Sequence, residues 1–142
     1  MTDERLFHAL QADLVRLDPW SFRILPGESF GVDQVVLGTT GVFAIRVVDE
    51  PALAMVRKRP PGHRGLARLT RRLESRLGAV GIHTGAQALL CSVGPTQFAP
   101  RTIRGVRVIP RSLLVREISE RQRVLMPHQA ERAAKSLLRA AS

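Results

Sequence analysis

The side chains that could do chemistry in this chain gather around one stretch, Val32 to Val48, which reads V-D-Q-V-V-L-G-T-T-G-V-F-A-I-R-V-V. Asp33 opens its first apolar run, and a carboxylate is the kind of oxygen ligand that a hard divalent cation takes. Glu4 and Glu28 could add carboxylates from other parts of the chain. A second group is basic: Arg57, Lys58, Arg59, Arg64, Arg68, Arg71 and Arg72. Such residues suit phosphate contacts, which give affinity without sequence information and binding that falls steeply with salt. Other chemistries lack their residues. One cysteine, Cys91, forms no internal disulfide and reads as a small buried hydrophobe. The four histidines are scattered, without zinc spacing. There is no P-loop, dinucleotide fingerprint or nucleophile elbow.

Positioning Asp33 requires a hairpin. Asp33 opens one apolar strand, Gly38-Thr39-Thr40-Gly41 reads as the reversal and Val42–Val48 as the return. Alternate side chains on a strand share a face. Arg46 and Val48 therefore point with Val42 and Ala44, while Phe43, Ile45 and Val47 point the other way. Upstream, Leu6, Leu10, Leu14 and Leu17 predict an amphipathic helix over 3–16, and Trp20–Leu25 a strand. Downstream, Pro51–Val56 reads as a short strand, followed by a basic, proline-broken loop. Leu66, Leu69, Leu73 and Leu77 stripe a helix over Gly65–Leu77, whose other side carries Arg68, Arg71, Arg72 and Arg76, interrupted only by Glu74. Ala86–Val93 and Thr102–Ile109 read as two more strands. Pro110 opens a short helix with Leu113, Leu114 and Ile118. Pro127 opens a last helix with Ala130, Ala134, Leu137, Leu138 and Ala141 on its apolar side. The expected class is α/β in a single domain over 1–142: a helix, a three-stranded meander, a crossover helix, two further strands and C-terminal helices.

The stretch 32–48 resembles the NERD (nuclease-related) domain, a branch of the PD-(D/E)xK superfamily with a restriction-endonuclease-like core. The family pattern runs roughly I-D-H-hydrophobic-hydrophobic-x-G-x-x-G-hydrophobic-hydrophobic-x-I-E-x-K. Asp33, Gly38, Gly41 and Ile45 fit it, and Gln34 stands where His is common. Arg46 falls at the acidic position and Val48 at the lysine. The expected element order also matches that core, loosely outside 32–48. An intact site of this kind holds Mg²⁺ through an Asp and an acidic residue, with a lysine assisting phosphodiester cleavage. By resemblance, Asp33 is the residual catalytic and metal-ligating position, and Glu4 corresponds to a helical Glu that many members carry. Arg46 places positive charge where the cation needs a negative ligand, and Val48 has no donor. Glu50 cannot substitute, because four residues of strand at ~3.3 Å each span about 13 Å.

Charge is uneven. The chain carries 22 basic and 12 acidic residues, net +10. Residues 1–50 hold 4 basic and 8 acidic side chains, whereas residues 51–142 hold 18 and 4. Arginine outnumbers lysine 20 to 2, a bias that a GC-rich genome produces, but such a bias does not remove Asp and Glu after residue 50. A basic second part is an electrostatic footprint for a polyanion. No apolar run is long enough for a membrane helix and no signal-peptide core follows the N-terminus, so the expectation is a soluble cytoplasmic protein without membrane partners. Three functions follow as expectations. The first is a nuclease-related domain with an inactive metal site and no cofactor, binding nucleic acid through its arginines. The second is an active Mg²⁺-dependent DNA or RNA phosphodiesterase using Asp33 and a relocated carboxylate, Glu4 or Glu28. The third is a non-catalytic protein-interaction module, dimerising through the Ala-rich last helix.

Overall fold

The computed structural model describes residues 4–49, 63–95 and 97–141. The expected strand at Pro51–Val56 lies outside the described residues. In chain order the elements are α1 (Glu4–Leu14), β1 (Phe22–Pro26), β2 (Gln34–Gly38), β3 (Gly41–Val48), α2 (His63–Ala79), β4 (Ala86–Ser92), β5 (Arg101–Ile103), β6 (Val106–Pro110), α3 (Leu114–Ser119) and α4 (Pro127–Ala141). The class is mixed α/β: one six-stranded sheet in the order β1-β2-β3-β4-β6-β5. β1, β2 and β3 form an antiparallel meander; β4 runs parallel to β3 and β6 parallel to β4, and β5 pairs antiparallel with β6.

Strand alternation sends one set of side chains to each face of the sheet, and helices cover both. On one face, Val35, Leu37, Val42 and Ala44 pack with Leu69, Leu73 and Leu77 of α2 and Ala130, Ala133, Ala134 and Leu137 of α4. On the other, Val36, Phe43, Ile45, Val47, Leu89 and Ile109 pack with Leu10 and Leu14 of α1 and Leu114 and Ile118 of α3. Leu10 and Leu14 of α1 and the leucine stripe of α2 are thus buried as their spacing predicts, and Leu6 is partly buried. The small side chains Ala130, Ala133 and Ala134 of α4 are buried within this core. Leu138 departs from the expected apolar side and stands 46% exposed. No helix among the described residues is long and apolar enough to cross a membrane.

Three boundaries move. The expected strand over Thr102–Ile109 is two strands joined at Arg104 and Gly105, with φ 50° and 85°. Two successive positive φ values are the requirement of a type I′ hairpin turn, and Gly105 was its sequence signal within an unbroken alternation. Pro110 ends β6 in extended conformation, and a 3-10 turn over Arg111–Leu113 precedes α3. Trp20 lies outside β1 and is 83% exposed, because Asp18 ties off the turn before the strand: its Oδ1 accepts Trp20 N–H at 3.0 Å and its Oδ2 accepts Ser21 Oγ–H at 3.0 Å.

Cys91 is fully buried on β4. Burial, with the negative charge of Asp13 adding to it, pushes its thiol up to about 12, against a smaller downward pull from Arg111. Almost no thiolate exists at neutral pH, and the thiolate is the nucleophile. Native protein is expected to resist iodoacetamide at pH 8, with alkylation seen by intact-mass measurement only once denaturant unfolds the chain.

Candidate functional site

Asp33 is held by the loop that links β1 to β2. Gly27 O accepts the N–H groups of Phe30 (2.9 Å) and Val32 (3.0 Å), closing a 3-10 turn over Glu28–Phe30 anchored by buried Phe30. Gly31 then takes φ 75° and donates its N–H to Glu28 O at 3.1 Å. The chain passes so close to Gly27 that an added Cβ would lie 2.4 Å from the backbone carbon of Asp33 and 2.5 Å from Gln34 N. Backbone cannot yield as a flexible side chain does. Gly27→Ala is therefore expected to lower unfolding free energy by about 1–3 kcal/mol, as overpacking does, read by urea denaturation.

Three bonds join this loop to β3. Asp33 Oδ2 accepts the N–H of buried Val47 at 2.7 Å, and Asp33 N–H donates to Ile45 O at 3.1 Å. Arg46 Nη2 donates to Gly31 O at 2.7 Å. Asp33 is 9% exposed and Arg46 half-buried. Arg46 thus fastens the loop as a cation bound to a carbonyl. Val48 is half-buried beside the cluster of Leu66, Ala88 and Leu90.

Glu4, Glu28, Asp33 and Gln34 line one cavity of about 610 Å³, walled by Phe7, Ile24 and Pro26. The structure therefore brings the sequence-selected carboxylates around one space. Asp33 already accepts a main-chain N–H, Arg46 adds positive charge at the loop, and among the described residues no three His, Cys, Asp or Glu side chains converge to hold a metal.

The basic face lies across the sheet from α1. Arg68, Arg71, Arg72 and Arg76 are exposed on α2 and form no ion pair with a described residue. Glu74, the acid between them, instead accepts Ala86 N–H at 2.9 Å and ties α2 to the entry of β4. Arg64 is described only by its backbone, in the first turn of α2. Arg57, Lys58 and Arg59 lie outside the described residues.

Sequence reasoning missed the neighbouring helix. α4 packs against α2 on the same sheet face and presents Arg132, Lys135 and Arg139 outward, with Lys135 3.6 Å from Glu131. Their positions opposite the Ala-rich side of α4 were the available signal. It also missed a knot on the other face, where Glu117 binds both Arg107 and Arg121. Compared with protein-family models, with curated proteins and with solved structures, the chain finds no significant match.

Proposed function

We propose that this chain is a nuclease-related domain that has lost its metal chemistry and binds nucleic acid through phosphate contacts on α2 and α4. The observation that carries this reading is the arginine face of α2, whose interrupting acid is turned to a backbone N–H rather than to the arginines. The restriction-endonuclease-like assignment is supported by a helix, an antiparallel meander and a parallel β4 reached after α2, with Asp33 at the head of β2 and Arg46 opposite it. Aromatic residues are few, so backbone contact fits better than stacking of single-stranded bases. The test is binding to random-sequence duplex DNA across a salt series. Affinity that falls steeply with salt supports the reading, and no binding at low salt contradicts it.

One observation favours a second reading. Glu4, Glu28 and Asp33 share a cavity, which is where a Mg²⁺-dependent phosphodiesterase with a relocated carboxylate would need them. Divalent-dependent cleavage of nucleic acid, lost in Asp33→Ala, separates it from the first.

A further inference from the structure

We propose that the cavity between the β5–β6 hairpin and α3 is a binding site for an organic phosphomonoester. It lies on the sheet face opposite α2 and α4 and does not depend on the nucleic-acid reading. The space measures about 650 Å³ and is lined by Gln87, Thr102, Arg107, Leu113, Arg116 and Arg121, with Glu117 and Glu120 beside them.

The sequence of this sheet face is the first pointer. Its central strands are apolar, with Phe43, Ile45, Leu89, Cys91 and Ile109 buried under the helices. Alternation places Gln87 two residues before Leu89 and Arg107 two before Ile109 on that same face. Thr102 is the register partner of Arg107. Where the covering helices end, the face turns from apolar to hydrogen-bonding.

Charge balance is the second. Glu117 Oε1 accepts Arg107 Nε–H at 2.7 Å and Arg121 Nη2–H at 3.0 Å. One carboxylate faces two guanidinium groups, so one positive charge remains uncompensated within the knot. The three side chains are only 30%, 34% and 15% exposed for Arg107, Arg121 and Glu117, so solvent screens that charge incompletely. An anion completes the balance.

The guanidinium groups are also fixed before any ligand arrives. Arg121 Nε donates to Glu117 O at 3.1 Å, and its guanidinium carbon stands 5.3 Å from the centroid of the Phe43 ring. Arg107 Nη1 stands 3.5 Å from Thr102 Oγ1. Each guanidinium carries five N–H donors in a planar fork that matches phosphate oxygens, and these contacts leave donors over. Arg116 is paired with Glu120 at 3.5 Å, with both side chains about two-thirds exposed. A pair so exposed is weak, and Arg116 can turn to a third phosphate oxygen. A monoester phosphate, at roughly −1.5 to −2, presents three terminal oxygens to these donors, against two for a carboxylate or a diester. The volume exceeds that of phosphate itself and falls within the ~300–1,000 Å³ of small-molecule sites. Leu113 and Pro100 offer apolar wall to the organic part.

The test is an NMR titration of the full chain at near-physiological salt with AMP, ribose 5-phosphate, adenosine and inorganic phosphate. The readouts are the Nε–Hε signals of Arg107 and Arg121 and the amides of Gln87 and Thr102. Saturable shifts at these positions are expected with at least one phosphate ester, with adenosine and inorganic phosphate weaker by about tenfold or more. Arg107→Gln should abolish the shifts. Arg116→Gln, at an exposed residue whose change does not threaten folding, should weaken binding about three- to tenfold. Arg68→Gln/Arg71→Gln/Arg72→Gln should leave it unchanged. Absence of saturation with both esters, shifts confined to α2, equal binding of adenosine or inorganic phosphate, or wild-type affinity in Arg116→Gln would each overturn the proposal.

Discussion

Asp33→Ala is expected to destabilise the metal-free protein by about 2 kcal/mol, within the ~1–3 kcal/mol for a buried donor left without its acceptor. The donor is Val47 N–H, bound at 2.7 Å by Asp33 Oδ2 in a strand whose side chain there is 5% exposed. Asp33→Asn keeps an acceptor oxygen and should lose less than half as much. The sign is diagnostic. A carboxylate kept to hold a cation is repelled by its neighbouring carboxylates when the metal is absent, so its removal leaves stability unchanged or raises it. Urea denaturation in EDTA reads the difference. Equal or higher stability in Asp33→Ala would contradict a fastening role.

Removing the α2 arginines should have the larger functional effect. Arg68→Gln/Arg71→Gln/Arg72→Gln is expected to weaken duplex DNA binding by about 10–100-fold at moderate salt, and to reduce the slope of log K against log salt by about 2–3. Each arginine that neutralises a phosphate releases counterions, so lost contacts appear in the slope as well as in the affinity. The three side chains are exposed and unpaired with described residues, so the thermal midpoint should stay within a few degrees of wild type. Sequence preference should not change, because phosphate contacts carry none. Fluorescence anisotropy over a salt series checks both quantities. An unchanged slope would place DNA contact elsewhere or nowhere.

The parts legible in the sequence were those set by local periodicity. Leu66, Leu69, Leu73 and Leu77 recur every three or four residues, and the burial of all four follows. The hairpin around Gly38–Gly41 and the opposite facing of Arg46 and Ile45 follow from the two-residue strand period. What local pattern could not reveal was side chain to main chain bonding across the fold. Val47 N–H on Asp33, Arg46 on Gly31 O and Glu74 on Ala86 N–H join residues 12 to 15 positions apart in chain, and each depends on the register and loop path around it. Read as a strand residue, Arg46 was a misplaced charge at a metal site; in the fold its guanidinium closes the loop beside Asp33. The Arg104–Gly105 turn was missed for the converse reason, since β-branched residues continue the alternation on both sides of it. The knot of Arg107, Glu117 and Arg121 joins β6 to the helix after it and carries no motif.

The fastening of the Asp33 loop in place of metal binding is tested most directly by calorimetric titration of Mg²⁺ and Mn²⁺ into wild type and Asp33→Ala at near-physiological salt. The account predicts no saturable heat in either protein. Saturable binding to wild type that disappears in Asp33→Ala would contradict it and would return Glu4 and Glu28 to the role of metal ligands.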